Sequence, residues 1–436
     1  MIEILVGWDN LNNNFFKMSK QELTNVHEKL IKEYESFLDK KLSLNMARGK
    51  PGADQLDLSM KMLDVLNSSS DFKSEDRIDC RNYGINDGLP EMKRFISEAT
   101  GIPAENFIVG GNSSLSMMYD AISHFFTHGS DGELPWGRQG KIKFLCPSPG
   151  YDRHFAICEY FGMELITVPM TESGPDMDMV ESYVSSDKSV KGIWCVPKYS
   201  NPQGVTYSDE TVKRFAKLKP AAKDFKIFWD NAYFVHDLAE ETTSLLNIID
   251  ECKKNGNEKL PLVFFSTSKI TFPGSGIAFM ACTGENLSAF KKMYSIKTVG
   301  FDKLNQLRHL RFLKDKESLL VHMKNHRNIL APKFDLVIKF LNKEFSQNPI
   351  LSWKKPKGGY FVSVDTYPGC AKRVVELCKK CGVILTNAGA TFPYGKDLKD
   401  SNIRLAPTFP TTNELQLAME VFCLCVKIAF IESYLK

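Results

Sequence analysis

Five short apolar runs limit the folds open to this chain most sharply: Phe107-Ile108-Val109, Ile142 to Cys146, Gly192 to Val196, Lys226 to Trp229 and Leu262 to Phe265. Each is too short for a helix and rich in β-branched or aromatic residues. Segments of helical period, such as Ser114 to Phe126 and Asp209 to Leu218, lie between them. Runs without polar alternation read as strands buried on both faces, and strands that alternate with helices build a mainly parallel sheet. An α/β fold is therefore expected. In such sheets ligands gather outside the carboxyl ends of the strands. Those ends carry Gly110-Gly111-Asn112, Pro147 to Tyr151, Ser200-Asn201-Pro202, Asp230-Asn231-Ala232-Tyr233 and Ser266 to Lys269, so five strand ends should converge on one crevice.

Beyond about residue 315 the pattern changes to a long amphipathic helix, the run Gly358 to Val364, a helix from about Cys370, and Asn402-Ile403-Arg404-Leu405. This suits an antiparallel α+β unit, to which the N-terminal helix and the Met46 to Pro51 loop also belong. The expected division is an Asn-rich extension of uncertain order over 1–17, a first piece of a small domain over 18–60, a large domain over 61–315 and the rest of the small domain over 316–436. A chain of 436 residues is long enough for both.

A net charge of +4 over this length implies no polyanionic partner, so nucleic acid is not expected. No run approaches the roughly eighteen apolar residues of a membrane span, and the first residues lack the basic start and apolar stretch of a signal peptide. A cytosolic location is expected. Eleven scattered cysteines fit reduced thiols better than a disulfide framework. Cys378-Lys379-Lys380-Cys381 and the pair Cys423 and Cys425 raise a metal or redox site, but no histidine stands at ligand spacing beside them, and no metal is expected. Gly110 to Ser114 lacks the Gly-Lys-Ser/Thr ending of a nucleotide phosphate loop.

The strand ends suit a cofactor with an aromatic ring, a phosphate, a pyridine nitrogen and an aldehyde. In a partly desolvated pocket the amine of Lys269 can lose proton affinity, form a Schiff base and shuttle a proton. Asp230, ending a buried strand, can pair with a protonated ring nitrogen. Tyr233 and Asn201 can hydrogen-bond a phenolic oxygen, and Tyr151 can stack on the ring. Asn112, Ser113 and Ser114 open a helix, whose N–H groups suit an anion, with Ser266 and Ser268 beside them. Each feature alone has a plainer explanation: a strand-end Asp caps helices, Asn-Pro makes turns, and a lone Arg404 is by base rate a surface residue.

The ordered set resembles the class I and II aminotransferases, pyridoxal-phosphate enzymes of the aspartate aminotransferase fold (fold type I). The matching residues are Ala47-Arg48-Gly49-Lys50-Pro51-Gly52, Tyr83-Gly84 with Gly88-Leu89-Pro90, Pro149-Gly150-Tyr151, Asn201-Pro202-Gln203-Gly204, Asp230-Asn231-Ala232-Tyr233, Ser266-Thr267-Ser268-Lys269 and Asn402 to Pro407. The separation of 39 residues between Asp230 and Lys269 suits the family. The stretches LNMARGKPGADQLDLS, STSKITFPGSGIAF and DKLNQLRHLRF are similar to an atypical, MocR-like aspartate aminotransferase subgroup.

The resemblance implies a mainly parallel seven-stranded sheet in a large domain and a smaller, discontinuous α+β domain. It implies that Lys269 carries pyridoxal 5'-phosphate and moves the proton, that Asp230 holds the pyridinium, and that Asn201 and Tyr233 hold the ring hydroxyl. Tyr151 would lie on the ring face. Asn112, Ser113, Ser114, Ser266 and Ser268 would surround the phosphate, with Tyr83 reaching in from the partner of a homodimer. Arg404 would clamp the substrate α-carboxylate bidentately, with the Gly49 backbone lining the same end.

One position departs from the family pattern. An arginine commonly stands eight positions after the lysine and grips the phosphate, whereas position 277 here is Ile. Either more hydroxyls and backbone amides hold the phosphate, or, since a dianion in a dry site needs a counter-charge, Lys297, Lys303, Arg308 or Arg311 replaces the arginine from the segment that in the family approaches from the partner subunit. A dicarboxylic substrate needs a further cation, for which Arg48, Lys50, Arg153 and the same basic group are available. The subgroup resemblance implies L-aspartate with 2-oxoglutarate. Another amino acid, or lyase chemistry, uses the same lysine, aspartate and arginine. A cofactor-sensing regulator would add a DNA-binding domain, for which roughly 45 residues ahead of Arg48 are too few.

Overall fold

The computed structural model describes residues 15–436, and its strands in chain order are β1 (Leu44–Asn45), β2 (Phe107–Val109), β3 (Lys143–Ser148), β4 (Glu164–Thr171), β5 (Gly174–Pro175), β6 (Val190–Cys195), β7 (Lys226–Asp230), β8 (Pro261–Ser266), β9 (Ala278–Ala281), β10 (Leu351–Trp353), β11 (Val362–Thr366), β12 (Val383–Ile384) and β13 (Asn402–Leu405). The five apolar runs form β2, β3, β6, β7 and β8. The main sheet has the order β2-β9-β8-β7-β6-β3-β4-β5. Its centre, β8 through β4, is parallel throughout, while β9 pairs antiparallel with both β8 and β2. The sheet thus has eight strands instead of the expected seven. The extra one is the two-residue β5, which folds back antiparallel on the end of β4 and is too short to leave an apolar run in the sequence.

Burial explains why the central runs show no polar alternation. Ile227 and Trp229 of β7 point into a core with Ile193, Val263 and Phe265 on one face. Phe228, between them, points into a core with Phe144, Trp194 and Phe264 on the other. With both faces covered, the strand interior from Ile227 to Trp229 is apolar throughout.

A third core joins the helix Lys20–Leu38, through Leu23 and Leu30, to the C-terminal helix Thr412–Tyr434 and to β11 and β13 of the antiparallel sheet β10-β11-β13. β1 pairs parallel with β12, which ties the N-terminal loop to this layer. The helix Lys316–Phe345, of 30 residues and so about 45 Å long, belongs to both units. Its Leu319 and Met323 pack in the main-sheet core, whereas Leu330, Phe334 and Leu341 pack in the third core.

Of the extension expected over 1–17, residues 1–14 lie outside the described residues. Phe15 to Lys17 form one 3-10 turn, with Phe15 buried against Phe430 at 5.9 Å between ring centroids and its N–H donated to Asn348 Oδ1 at 2.9 Å. Phe15 thus packs as core, while Phe16 and Lys17 are exposed. Among the described residues no helix is long and apolar enough to cross a membrane.

Candidate active site

A cavity of about 290 Å³ opens where the carboxyl ends of the parallel strands meet the third-core layer. It gathers Arg48, Gly49, Ser113, Ser114, Tyr151, Asn201, Asp230, Tyr233, Ser266, Ser268, Lys269 and Arg404. Residues separated by more than 350 positions meet because β7 and β8 end at Asp230 and Ser266 while β13 carries Arg404 in from the second sheet.

Two expected members do not line it. Asn112 Nδ2 donates to Gly274 O at 3.0 Å, and Asn112 O accepts from Ser268 Oγ at 3.2 Å. Asn112 therefore clips the Gly-rich loop to the lysine loop. Tyr83 is 80% exposed on the surface of the single chain.

Lys269 Nζ lies 5.0 Å from the Tyr233 ring centroid and 5.7 Å from that of Tyr360. Desolvation among these rings lowers its proton affinity, with the Asp230 carboxylate opposing. A lowered proton affinity favours nucleophilic or proton-transfer chemistry at this amine. Burial raises the Tyr233 hydroxyl well above its ordinary value and pushes Tyr151 to about 12, so both are neutral hydrogen-bonding groups.

Asp230 is buried, and His154 Nε2 lies 3.0 Å from its Oδ2. The imidazole stacks on Trp194 with 4.3 Å between centroids and meets the Tyr151 ring edge-on at 4.9 Å. Asp230 Oδ1 is buried and has no hydrogen-bond partner. A buried carboxylate oxygen left this way is costly unless a donor reaches it, so the pocket is built for one.

Arg404 is almost fully buried. Its Nη1 donates to Asn201 Oδ1 and to Asp152 Oδ1, each at 3.1 Å, and Nη2 donates to Thr386 Oγ1 at 3.3 Å. The guanidinium lies 4.8 Å above the Phe361 ring, and its Nε is buried without a partner. Such a planar, pre-oriented fork with a spare donor suits a carboxylate.

Ser113 stands at the N-cap of the helix Ser114–His128 and makes no capping bond, leaving its hydroxyl and the first helical N–H groups for an anion. Ile277 is buried, and its N–H donates to Thr267 Oγ1 at 2.8 Å, so this position faces the core. The four expected substitutes are engaged elsewhere, and none lines the cavity of the single chain. Lys297 pairs with Asp120 at 2.5 Å, Lys303 donates to Gly84 O at 2.8 Å, Arg308 donates to Asn305 Oδ1 at 2.7 Å, and Arg311 caps the carbonyl of Asp71. The basic groups in the cavity are Arg48, Lys50, Arg153, Lys269 and Arg404. Among the described residues neither the Arg48 nor the Arg153 guanidinium has a partner, whereas the Lys50 amine lies 3.8 Å from the Phe409 ring centroid.

His154, Asp152, Thr386 and Phe361 were not expected here. A histidine three positions after a stacking Tyr151 carries no sequence signal of its own; its role appears only when the helix Asp152–Tyr160 turns it toward β7. All eleven cysteines are buried and unbridged, and among the described residues no group of three or more acidic, Cys or His side chains has the geometry to hold a metal ion.

The family described as aspartate amino-transferase matches residues 18–436. An aspartate aminotransferase of Corynebacterium glutamicum is 41% identical over 409 residues, 94% of either chain. The crystal structure of an aspartate transaminase from C. glutamicum superposes with a TM-score of 0.93 at 39% identity, covering 96% of this chain and 98% of that one. The fold is also that of α-aminoadipate aminotransferase from Thermus thermophilus, solved with N-(5'-phosphopyridoxyl)-L-leucine, with a TM-score of 0.70 at 18% identity over 93% of this chain and 95% of that one. With a match that runs through the strand-end cavity and nearly the whole chain, the protein belongs to the aspartate aminotransferase family and is an aminotransferase.

Proposed function

We propose that the chain binds pyridoxal 5'-phosphate in this cavity and transfers an amino group between L-aspartate and 2-oxoglutarate. The observation that carries the reading is the charge of the cavity wall. Five basic side chains, Arg48, Lys50, Arg153, Lys269 and Arg404, face two acidic ones, Asp152 and Asp230. Such an excess suits several anionic groups together, a phosphate and two carboxylates.

The residues present fit the cofactor. The partnerless Asp230 Oδ1 awaits a donor of the kind a protonated ring nitrogen offers, and the uncapped helix start at Ser113, with Ser266 and Ser268, offers donors to a phosphate. When bound, the group supplies an aldehyde and an electron-withdrawing ring. Lys269 would hold it through its amine and move the proton at the substrate α-carbon. Tyr151 would cover the ring face, and Asn201 and Tyr233 would hydrogen-bond its hydroxyl oxygen. Arg404 would orient the α-carboxylate beside Gly49, while Arg48 and Arg153, without partners among the described residues, are available to a distal carboxylate.

We further assign the working form as a homodimer. Tyr83 is 80% exposed beside the exposed Val299, whose carbonyl accepts from Gly84 N at 2.9 Å. An apolar surface of this kind is suited to cover by a second copy.

The reading is tested by half-reaction spectra of the cofactor-loaded protein with a panel of amino acids. Aspartate and glutamate should convert the bound cofactor to its amine form fastest. Conversion by neutral amino acids alone would remove the dicarboxylate assignment and leave the aminotransferase.

A further inference from the structure

Lys269 sits in a single backbone turn: the N–H groups of Ile270 and Thr271 both reach Thr267 O at 2.9 Å. A turn that stops after one round leaves its last carbonyls without backbone donors. Here those are Lys269 O and Ile270 O, and side chains from three other parts of the chain meet them. His236 Nε2 lies 3.3 Å and Tyr360 OH 3.4 Å from Lys269 O. His322 Nε2 and His326 Nε2 lie 2.8 and 2.9 Å from Ile270 O.

The hydrogen-bond pattern assigns the tautomers. A carbonyl only accepts, so both Nε2 atoms facing Ile270 O carry hydrogen. Their mutual distance of 3.2 Å then reflects convergence on one oxygen. His326 Nδ1 is left as the acceptor for Gln55 Nε2 at 3.2 Å, and the second hydrogen of that amide goes to Tyr360 OH at 2.9 Å. Tyr360 donates in turn to Lys269 O. The network closes around two consecutive carbonyls of the lysine turn, is buried, and carries no formal charge; burial holds both imidazoles of the pair below their ordinary proton affinity.

The pair stands one helical turn apart on Lys316–Phe345, on the stretch where this helix passes from the main-sheet core into the third core. Neither imidazole lines the cavity. We propose that His322 and His326, with Tyr360, are positioning residues that fix the Lys269 amine by clamping the Lys269 and Ile270 carbonyls to the helix Lys316–Phe345. The proposal rests on Lys269 being the residue that holds the cofactor.

If the clamp is released, the amine is freer to move toward water, and its charged form is favoured. The test is a spectroscopic pH titration of the cofactor-loaded full-length protein, following the proton on the nitrogen that joins Lys269 to the cofactor. His322→Leu and His326→Leu should raise the midpoint by roughly half a pH unit or more. His322→Gln and His326→Gln, which return an N–H donor near the position of Nε2, should restore it. Tyr360→Phe, which keeps the ring and loses one hydroxyl, should shift it in the same direction, and it decides the matter if the leucine variants do not fold. Variants that titrate like the parent, or glutamine variants displaced as far as the leucine ones, overturn the proposal. A parent protein whose cofactor is not fixed onto Lys269 by borohydride overturns the site assignment beneath it.

Discussion

His154 Nε2 stands 3.0 Å from Asp230 Oδ2, while Asp230 Oδ1 is left buried with no partner. One oxygen is held and the other is offered, so the carboxylate is aimed before any ligand arrives. Trp194 and Tyr151 hold the imidazole that does the aiming. For His154→Phe we expect a folded protein that binds pyridoxal phosphate about tenfold more weakly, on the order of 1.4 kcal/mol for one charge-assisted hydrogen bond. Equilibrium dialysis measures this, and an unchanged affinity would remove His154 from the site.

Gly49 acts at a distance on Arg404. A Cβ built on Gly49 would come 2.5 Å from Phe361 Cζ, and Phe361 is the ring over which the Arg404 guanidinium lies. Gly49→Ala must therefore displace the ring and tilt the arginine. The expected result is a KM raised about tenfold for every amino acid, neutral or acidic, with cofactor affinity little changed. A variant with parental KM values would show that the ring yields without moving Arg404.

Arg48 and Arg153 are separable from Arg404 by substrate. Replacing both with glutamine should raise KM for aspartate and 2-oxoglutarate by about tenfold while leaving alanine unaffected. Equal losses for acidic and neutral substrates would mean that neither arginine reads a distal carboxylate.

Much of this architecture was legible because burial on both faces of β7 and β8 strips them of polar residues, and because the chemistry stands where those runs end. The cavity is lined from four of the five expected strand ends, and after β2 it is Ser113 and Ser114, not Gly110 to Asn112, that reach it. The edge strand β5 was not legible, since two residues paired on a neighbour's end leave no periodic pattern. Nor were the histidines around Lys269. His236, His322 and His326 meet its turn from distant parts of the chain, and an i, i+4 pair on an amphipathic helix looks like any polar insertion until its partner carbonyl is known. The counter-charge from residues 297 to 311 was expected from a partner subunit, and within the single chain each of those side chains meets a nearby carboxylate, amide or carbonyl.

The same histidines make stability depend on pH. Burial lowers His309 and His326 to about 4 from 6.5, and it also lowers His236 and His322. These groups are neutral in the folded chain, while the unfolded chain takes up protons below about 6.5, so stability is fully present above that pH and is lost as pH falls toward 4. Each group depressed that far removes on the order of 3 kcal/mol across the window. Denaturant titrations at pH 7 and pH 5 should show a lower midpoint at pH 5, and His326→Gln should weaken the dependence; equal midpoints would contradict the burial of neutral imidazoles.

We propose that Lys269 is the amine on which this aminotransferase works. Borohydride reduction of the protein loaded with pyridoxal phosphate, followed by peptide mass spectrometry, checks this assignment. The expected result is a single phosphopyridoxyl adduct on the peptide containing Lys269, absent from Lys269→Ala. An adduct on another lysine, or none at all, would contradict it.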